Sequence, residues 1–237
     1  MTQLKTRERP ARQARRDETR QSRGEDTRQR LIAAAFEVFA ERGYEGATTR
    51  HLAERAGVNL PAIQYYFGNK EGLYRAAVGT IVARIEEHMA EVARRIEAAL
   101  TARQVPKKRL IGLLLELLDA FVILLAGKDR SESGRLFIAR AEIEFTEALD
   151  PFHKIIQRRI VGPATELVAR LIGRPAKDER TVLKAVAILG EVNIFCQGGA
   201  RRTLGWASFD DAQVAKVKNM LREHVPAIFN AANGARS

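Results

Sequence analysis

Apolar residues recur at steps of three and four positions along most of this chain, which is the spacing of residues that share one face of an α-helix. The longest such pattern runs from Lys70 to about Arg103 and continues over roughly six turns. Further helices are predicted over residues 26–43, 106–127, 135–148, 150–172, 178–198 and 210–232. The pattern therefore predicts an all-α protein.

Two short helices joined by a tight turn are predicted between the first helix and the long one. Thr48 or Thr49 can cap the first of them, and Gly57 can end it in a left-handed conformation. Asn59 can cap the second, with Pro61 in its first turn, where a missing N–H costs nothing. Such a pair forms a helix-turn-helix, whose second helix fits a DNA major groove. The turn alone would also fit an ordinary helical bundle, so the flanking helices carry this interpretation.

The second helix of the pair is predicted to direct Ile63 and Phe67 toward the core. It would expose polar and aromatic residues that are too large for an idle surface: Leu60, Gln64, Tyr65 and Tyr66. The amide edge of Gln64 is suited to reading an adenine.

The segment FAERGYEGATTRHLAERAGVNLPAIQYYFGNKEGLY, residues 39–74, resembles the N-terminal pattern of the TetR family of bacterial regulators. The resemblance implies a DNA-binding domain at residues 25–72, followed by a helical effector-binding and dimerisation domain at 73–237. It implies phosphate contacts by Thr49, Arg50, Tyr66 and Lys70, and base contacts by Leu60, Pro61, Gln64 and Tyr65. Asn59 and Pro61 depart from the serine and small residue that many members carry, so the family's base code does not transfer in detail.

The C-terminal stretch QGGARRTLGW, together with DAQVAKVKNMLREHVPAIF, is similar to the C-terminal domain of CecR-type regulators of drug-efflux genes within that family. In TetR-type proteins the last two helices usually pair with those of a second subunit, so the resemblance implies a homodimer. The predicted interface residues are Val186, Leu189, Val214, Val217, Leu221, Val225 and Ile228. The same apolar spacing would also suit a domain core.

Charge is unevenly distributed along the chain, whose net charge is +11. Residues 1–24 carry eight basic and three acidic side chains, or +5, with almost no apolar content, and are expected to form a disordered basic arm. This arm is either a solvated tail or a segment that lies along DNA. Residues 25–74 carry six basic against seven acidic side chains, or −1, so DNA contacts there must come from individually placed groups.

Other classes of function find little support in the composition. The four histidines are far apart and Cys196 is the only cysteine, so we expect no metal site, no cofactor and a reducing cytoplasmic location. No nucleophile with a base and no phosphate loop occurs at usable spacing, so an enzyme is not expected. The most apolar run, residues 110–126, is short of the roughly 20 residues that span a bilayer.

The sequence predicts a transcriptional repressor that binds a palindromic operator and is released by a small-molecule effector, with efflux or detoxification genes as candidate targets. The candidate pocket residues, chosen by helix position, are Phe137, Glu144, His153, Asn193 and Gln197. The alternative is a protein that binds nucleic acid or a membrane surface without sequence preference, through its basic arm.

Overall fold

The computed structural model describes residues 8–126, 132–144, 147–196, 198–207 and 209–230, and the side chains from Ser22 onward within them. Within those ranges all regular structure is helical. The α-helices are α1 (Glu8–Gly46), α2 (Thr49–Ala56), α3 (Pro61–Phe67), α4 (Lys70–Leu100), α5 (Lys107–Ala126), α6 (Glu132–Glu144), α7 (Asp150–Ile156), α8 (Gly162–Ile172), α9 (Glu179–Cys196), α10 (Gly198–Thr203) and α11 (Asp211–Asn230). A 3₁₀ turn, Glu147–Leu149, precedes α7.

The chain divides into two compact units. The first comprises Met1–Gly79 together with Glu132–Leu149, and the second comprises Thr80–Ser131 together with Asp150–Ser237. Helix α4 supplies residues to both units. The predicted boundary after residue 72 therefore lies within the first unit, and α6, which was expected in the C-terminal domain, belongs to the helix-turn-helix unit because it packs along α1.

The first unit is built around apolar residues of α1 to α4. Leu31, Ala35 and Phe39 of α1 are buried, and so are Leu52 of α2 and Ile63 of α3. The predicted helical spacing is confirmed, because these residues lie on the inner faces of their helices. An aromatic cluster completes the core; its rings are Phe36, Phe39, Tyr44, Tyr74 and Phe137.

Helix α1 begins at Glu8, well before the predicted start near residue 26. Residues 8–24 were expected to be disordered for lack of apolar content. Their composition is nevertheless rich in alanine, arginine, glutamate and glutamine, which are strong helix formers, and Pro10 lies in the first turn, where it is tolerated. At its other end the helix is kinked at Gly43, which has a φ of 71°.

The second unit encloses α5, which is apolar on nearly all sides as predicted. Residues from α4, α8, α9 and α11 pack around it, and they include Met89, Leu167, Ile188 and Leu221. The interruption predicted at Gly162-Pro163 takes the form of a π-helical turn, Gln157–Val161, between α7 and α8. Proline lacks the N–H that would continue the regular α-helical ladder, which accounts for the change of helix type.

Several predicted dimer-interface residues are used inside this unit instead. Leu189, Val217, Leu221 and Val225 are 0 to 7% exposed within a single chain. Val214 and Ile228 are half-buried against the same core, and only Val186, at 49%, is exposed. The apolar residues of α11 pack on α5 of their own chain, and their spacing is the same for a core as for an interface.

Candidate nucleic-acid interface

Helix α2 has the ends that its sequence predicts. Thr48 has an extended backbone, and its hydroxyl accepts a hydrogen bond of 3.2 Å from the backbone N–H of His51. Gly57 ends the helix with φ 63° and ψ 39°, a left-handed conformation that favours glycine. Its N–H donates to the carbonyl of Glu54 at 3.1 Å. These caps fix the turn that leads into α3.

Two arginines that the sequence analysis did not single out hold this turn against α1. Arg30 donates from Nη2 to the carbonyl oxygens of Ala56 at 2.6 Å and Gly57 at 2.8 Å, so it satisfies the free end of α2. Arg55 donates to the carboxylates of Glu37 at 2.8 Å and Glu41 at 2.9 Å. The only signal in the sequence was a basic residue in the last turn of α2, Arg55, two positions before Gly57; no such signal marks Arg30.

These ion pairs also set the local electrostatics. The hydrogen bond from Arg55 lowers the pKa of the Glu41 carboxyl below its usual range, so Glu41 stays ionised and paired near neutral pH. Glu54 pairs with Arg50 at 3.0 Å, and Glu71 pairs with Arg75 at 2.7 Å. The acidic side chains that make this region slightly negative are therefore largely matched by neighbouring arginines.

Helix α3 begins one residue later than predicted. Its N-cap position is Leu60, and no side chain caps it, so the predicted cap by the Asn59 side chain is wrong. The backbone carbonyl of Asn59 accepts from the N–H of Ala62 at 3.0 Å instead. Pro61 occupies the first helical position, where its fixed φ suits the helix. The α3 N-terminus is thus formed by backbone groups alone.

The outer face of α3 presents large side chains to solvent. Tyr65 is 80% exposed and Leu60 is 51% exposed, while Gln64 is also exposed. Ala62 and Ile63 are buried beneath them. Exposed tyrosine and leucine side chains on so short a helix contribute nothing to the core, so this face is the chief candidate for contact with a partner. Tyr66 is half-buried, with its ring 4.8 Å from that of Tyr65.

The residues that resemblance assigns to DNA phosphates have different environments. Arg50 is exposed and Thr49 is half-buried at the start of α2. The ammonium of Lys70 donates to the carbonyls of Tyr44 at 2.8 Å and Ala47 at 3.2 Å, and lies 4.2 Å from the Tyr44 ring centroid. Because an ammonium has three N–H donors, Lys70 retains one beyond these two structural bonds.

The five candidate pocket residues are divided between the two units and the residues outside the described ranges. Phe137 is 1% exposed and packs its ring on Phe36 and Tyr74 in the first unit. Glu144, in the same unit, accepts a 3.0 Å hydrogen bond from the N–H of Tyr44. His153 and Asn193 are exposed in the second unit, and Gln197 lies outside the described residues. The sequence does not reveal that α6 packs on α1, where Phe137 is buried, and the pocket assignments stay predictions.

In the described ranges, no three His, Cys, Asp or Glu residues come together in a way that could hold a metal ion. None of the described helices is long and apolar enough to cross a membrane.

A capped helix-turn-helix whose second helix is exposed defines a DNA-binding protein. Residues 31–77 match the family model "Bacterial regulatory proteins, tetR family", and residues 110–232 match "HTH-type transcriptional dual regulator CecR, C-terminal domain". Over 207 residues the chain is 32% identical to the HTH-type transcriptional dual regulator CecR of Shigella flexneri, a match that covers 86% of this chain and 92% of that protein. The chain therefore belongs to the TetR family of transcriptional regulators, with a C-terminal domain of the CecR type.

Further relatives extend the comparison. Over 66 residues the chain is 42% identical to the transcriptional repressor AcnR of Corynebacterium glutamicum, which covers 28% of this chain and 35% of AcnR. The fold matches that of AibR in complex with isovaleryl coenzyme A and operator DNA, with a TM-score of 0.57, 16% identity, and coverage of 84% of this chain and 98% of AibR. At that identity the structural match describes the fold alone.

Proposed function

We propose that this regulator is a homodimeric repressor that binds a palindromic operator through α3 and leaves it when a small molecule binds. The observation that carries the proposal is the exposed face of α3, where Leu60, Gln64 and Tyr65 are exposed on a helix that follows the capped helix α2. A rigid helix of this size fits the major groove, where each base pair has its own pattern of donors and acceptors.

Within this proposal the residues of the interface have separate roles. Gln64 reads an adenine through its two amide groups, while Tyr65 and Leu60 contact base edges and thymine methyl groups. Arg50, Thr49, Tyr66 and the remaining donor of Lys70 bind phosphates and fix the register of α3. Asn59 and Pro61 line the entry to the groove at the start of α3.

Dimerisation is supported by an exposed apolar face on α9. Leu183 is 62% exposed, Val186 is 49% exposed and Ile194 is 60% exposed. They follow one another at helical spacing, and Gly190, between them, has no atom within 4 Å of the position its Cβ would take. We therefore assign the dimer contact to this face of α9, and only Val186 of the residues predicted from the sequence belongs to it. A twofold dimer presents two α3 helices to two half-sites about 34–36 Å apart.

Repression and the effector are assigned by relationship. AcnR is named a repressor, and AibR is known in complex with both a coenzyme A ester and its operator DNA. For this protein we propose a small, largely apolar effector, bound in the second unit, and target genes for efflux or detoxification. The effector must bind the DNA-free arrangement more tightly than the DNA-bound one, because equal affinity would shift no population.

The proposal is tested by mobility shifts of the purified protein on DNA from upstream of its own gene, with excess random-sequence competitor. Gln64→Ala should lower affinity for the specific site by about 1–3 kcal/mol, or roughly 5- to 150-fold, while leaving the salt dependence of binding unchanged. The matched control is Gln29→Ala, at an exposed α1 residue that is hydrogen-bonded to Glu25. It should change neither the affinity for the specific site nor the salt dependence of binding. A panel of apolar compounds is then added to the shifted complex.

Two outcomes separate this proposal from its alternative. Specific complexes that one class of compound dissociates support a ligand-controlled regulator. Binding that follows salt alone and is competed equally by random DNA would contradict it, and would favour a protein that binds nucleic acid or membranes without sequence preference.

A further inference from the structure

Helix α1 continues beyond the helix-turn-helix as an N-terminal extension. Its residues 8–24 precede the first buried residue of α1, Leu31, and form 17 residues of uninterrupted helix. At about 1.5 Å per residue this extension is roughly 25 Å long. Each residue of the extension therefore has a defined position around the helix axis.

Five of the six arginines in this extension lie on one face of the helix. They occupy positions 9, 12, 16, 20 and 23, at successive steps of three and four. With about 3.6 residues per turn, these positions fall within roughly 80° of arc. Glu8, Asp17 and Glu18, the acidic residues of the extension, fall outside that arc. The result is a row of five positive charges, which we call the arginine row.

The arginine row follows the side of α1 that carries the helix-turn-helix. Continued at the same register, the row reaches Arg30, which bonds the carbonyls at the end of α2, and then Ala34, which is 3% exposed against the core. Where the extension leaves the unit, a methyl group placed on Gly24 would lie 3.5 Å from the phenol oxygen of Tyr66 in α3. The C-terminal end of the extension therefore lies beside α3, the proposed DNA-reading helix.

We propose that the arginine row binds the phosphate backbone of the duplex beside each half-site, as a helix rather than as a flexible tail. Its five charges span 14 residues, or about 21 Å, over which one DNA strand carries about six phosphates. This inference rests on the proposed function, because α3 in its groove brings the extension to the neighbouring phosphates. It also supplies the positive charge that residues 25–74, at −1, lack.

Two features favour DNA over an anionic membrane. The extension carries its charges without an apolar face, and an amphipathic helix needs one to insert into the headgroup region. At Gly24 the extension lies beside Tyr66, which is on the same helix as the exposed residues Gln64 and Tyr65. A DNA partner would therefore contact the arginine row and the exposed face of α3 at the same time.

The test compares three variants with the wild-type protein on the upstream fragment to which that protein binds. In the first, Arg9, Arg12, Arg16, Arg20 and Arg23 are all changed to Gln, which keeps helix propensity. In the matched control, five exposed basic residues of the second unit are changed to Gln: Arg103, Lys108, Lys177, Arg180 and Arg202. The third, Ala14→Pro, breaks the helix and keeps every charge.

The measured quantity is the slope of log affinity against log salt concentration. Each phosphate contact contributes about 0.9 and a bound dimer carries two rows, so the row variant should lose about nine units of slope and the control less than about one. Ala14→Pro should lose about four units, since it detaches positions 9 and 12 from the helix in both subunits. An unchanged slope in the row variant, or an equal loss in row variant and control, would overturn the proposal. An unchanged slope with Ala14→Pro would overturn its helical form.

The two proposals can fail separately. If the wild-type protein shows no preference for its upstream fragment over random duplex, the operator model fails whatever the row variant does. If the preference is present and survives in the row variant with its slope intact, only the arginine row is refuted. Vesicles containing phosphatidylserine serve as a further probe: binding to them that is lost in the row variant, together with an unchanged slope on DNA, would assign the row to membranes instead.

Discussion

Helices α9 and α11 carry similar apolar stripes, but only that of α11 is fully used inside the chain. Val217, Leu221 and Val225 of α11 are at most 2% exposed. Leu183 and Ile194 of α9 are at least 60% exposed, although the opposite face of α9 is buried. Helix α9 thus has two apolar faces and α11 has one. Of these two helices, α9 is therefore the one that leaves apolar surface exposed, and the proposed dimer contact lies there.

This comparison predicts a large loss of stability from a cavity in the α11 stripe. Leu221→Ala should lower the free energy of unfolding by about 2–5 kcal/mol, because the side chain is fully buried against α5. Leu183→Ala on the exposed face of α9 is the control, measured by urea unfolding at a protein concentration low enough to populate monomers. Equal losses in the two variants would contradict the contrast between the helices.

The exposed face of α9 should instead control self-association. Leu183→Glu combined with Ile194→Glu would place unpaired carboxylates in the proposed dimer contact, weakening association by about 3 kcal/mol or more, which is at least about a hundredfold in Kd. Sedimentation over a range of concentrations measures this. Because both positions are exposed in the single chain, helicity should remain unchanged. A variant that remains dimeric at wild-type concentrations would exclude this face as the interface.

The smallest expected effects on the free energy of unfolding come from two carboxylates whose pKa values are shifted in opposite directions. Burial raises the pKa of Asp119, on α5 where α11 packs, whereas the hydrogen bond from Arg55 lowers the pKa of Glu41 in the first unit. A group whose pKa is higher in the folded than in the unfolded state stabilises the fold at pH values below its unfolded pKa. This contribution is lost as the pH rises through its folded pKa. A group whose pKa is lower in the folded than in the unfolded state stabilises the fold at pH values above its unfolded pKa. This contribution is lost as the pH falls through its folded pKa.

Substitution should therefore change the pH dependence of unfolding in opposite directions. Relative to wild type, Asp119→Asn should gain stability as pH rises from about 4 toward neutrality, because it removes a partly buried charge. Glu41→Gln should be less stable than wild type near neutrality and approach it as the solution is acidified. Urea unfolding between about pH 3 and pH 7 measures both. The same sign for the two variants would show that the environments of these carboxylates are not as described.

The structural features that were predicted best from the sequence are those that depend on local contacts. The turn at Gly57 and the cap at Thr48 depend on residues within a few positions, and both are confirmed. The placement of Phe137 and Leu221 depends on which helix covers them, and periodicity is the same for a core and for an interface. For the same reason the sequence did not show that α6 joins the first unit.

The N-terminal extension was misread for a different reason. Lack of apolar residues argues against a packed core, but it does not argue against a helix that continues one already nucleated by α1. Residues 8–24 need only propagate that helix, and their composition favours it. The spacing of the arginines was present in the sequence, yet it acquires meaning only once the segment is known to be helical.

The most direct test of the whole account is selection of random-sequence duplexes by the intact protein. We expect an inverted repeat whose half-sites are separated by about one helical turn, with one position in each half-site losing its base preference in Gln64→Ala. The Leu183→Glu, Ile194→Glu variant should select half-sites weakly or nothing. Enrichment of no common sequence by the wild-type protein would contradict operator recognition by α3, and a single unrepeated motif would contradict the twofold dimer.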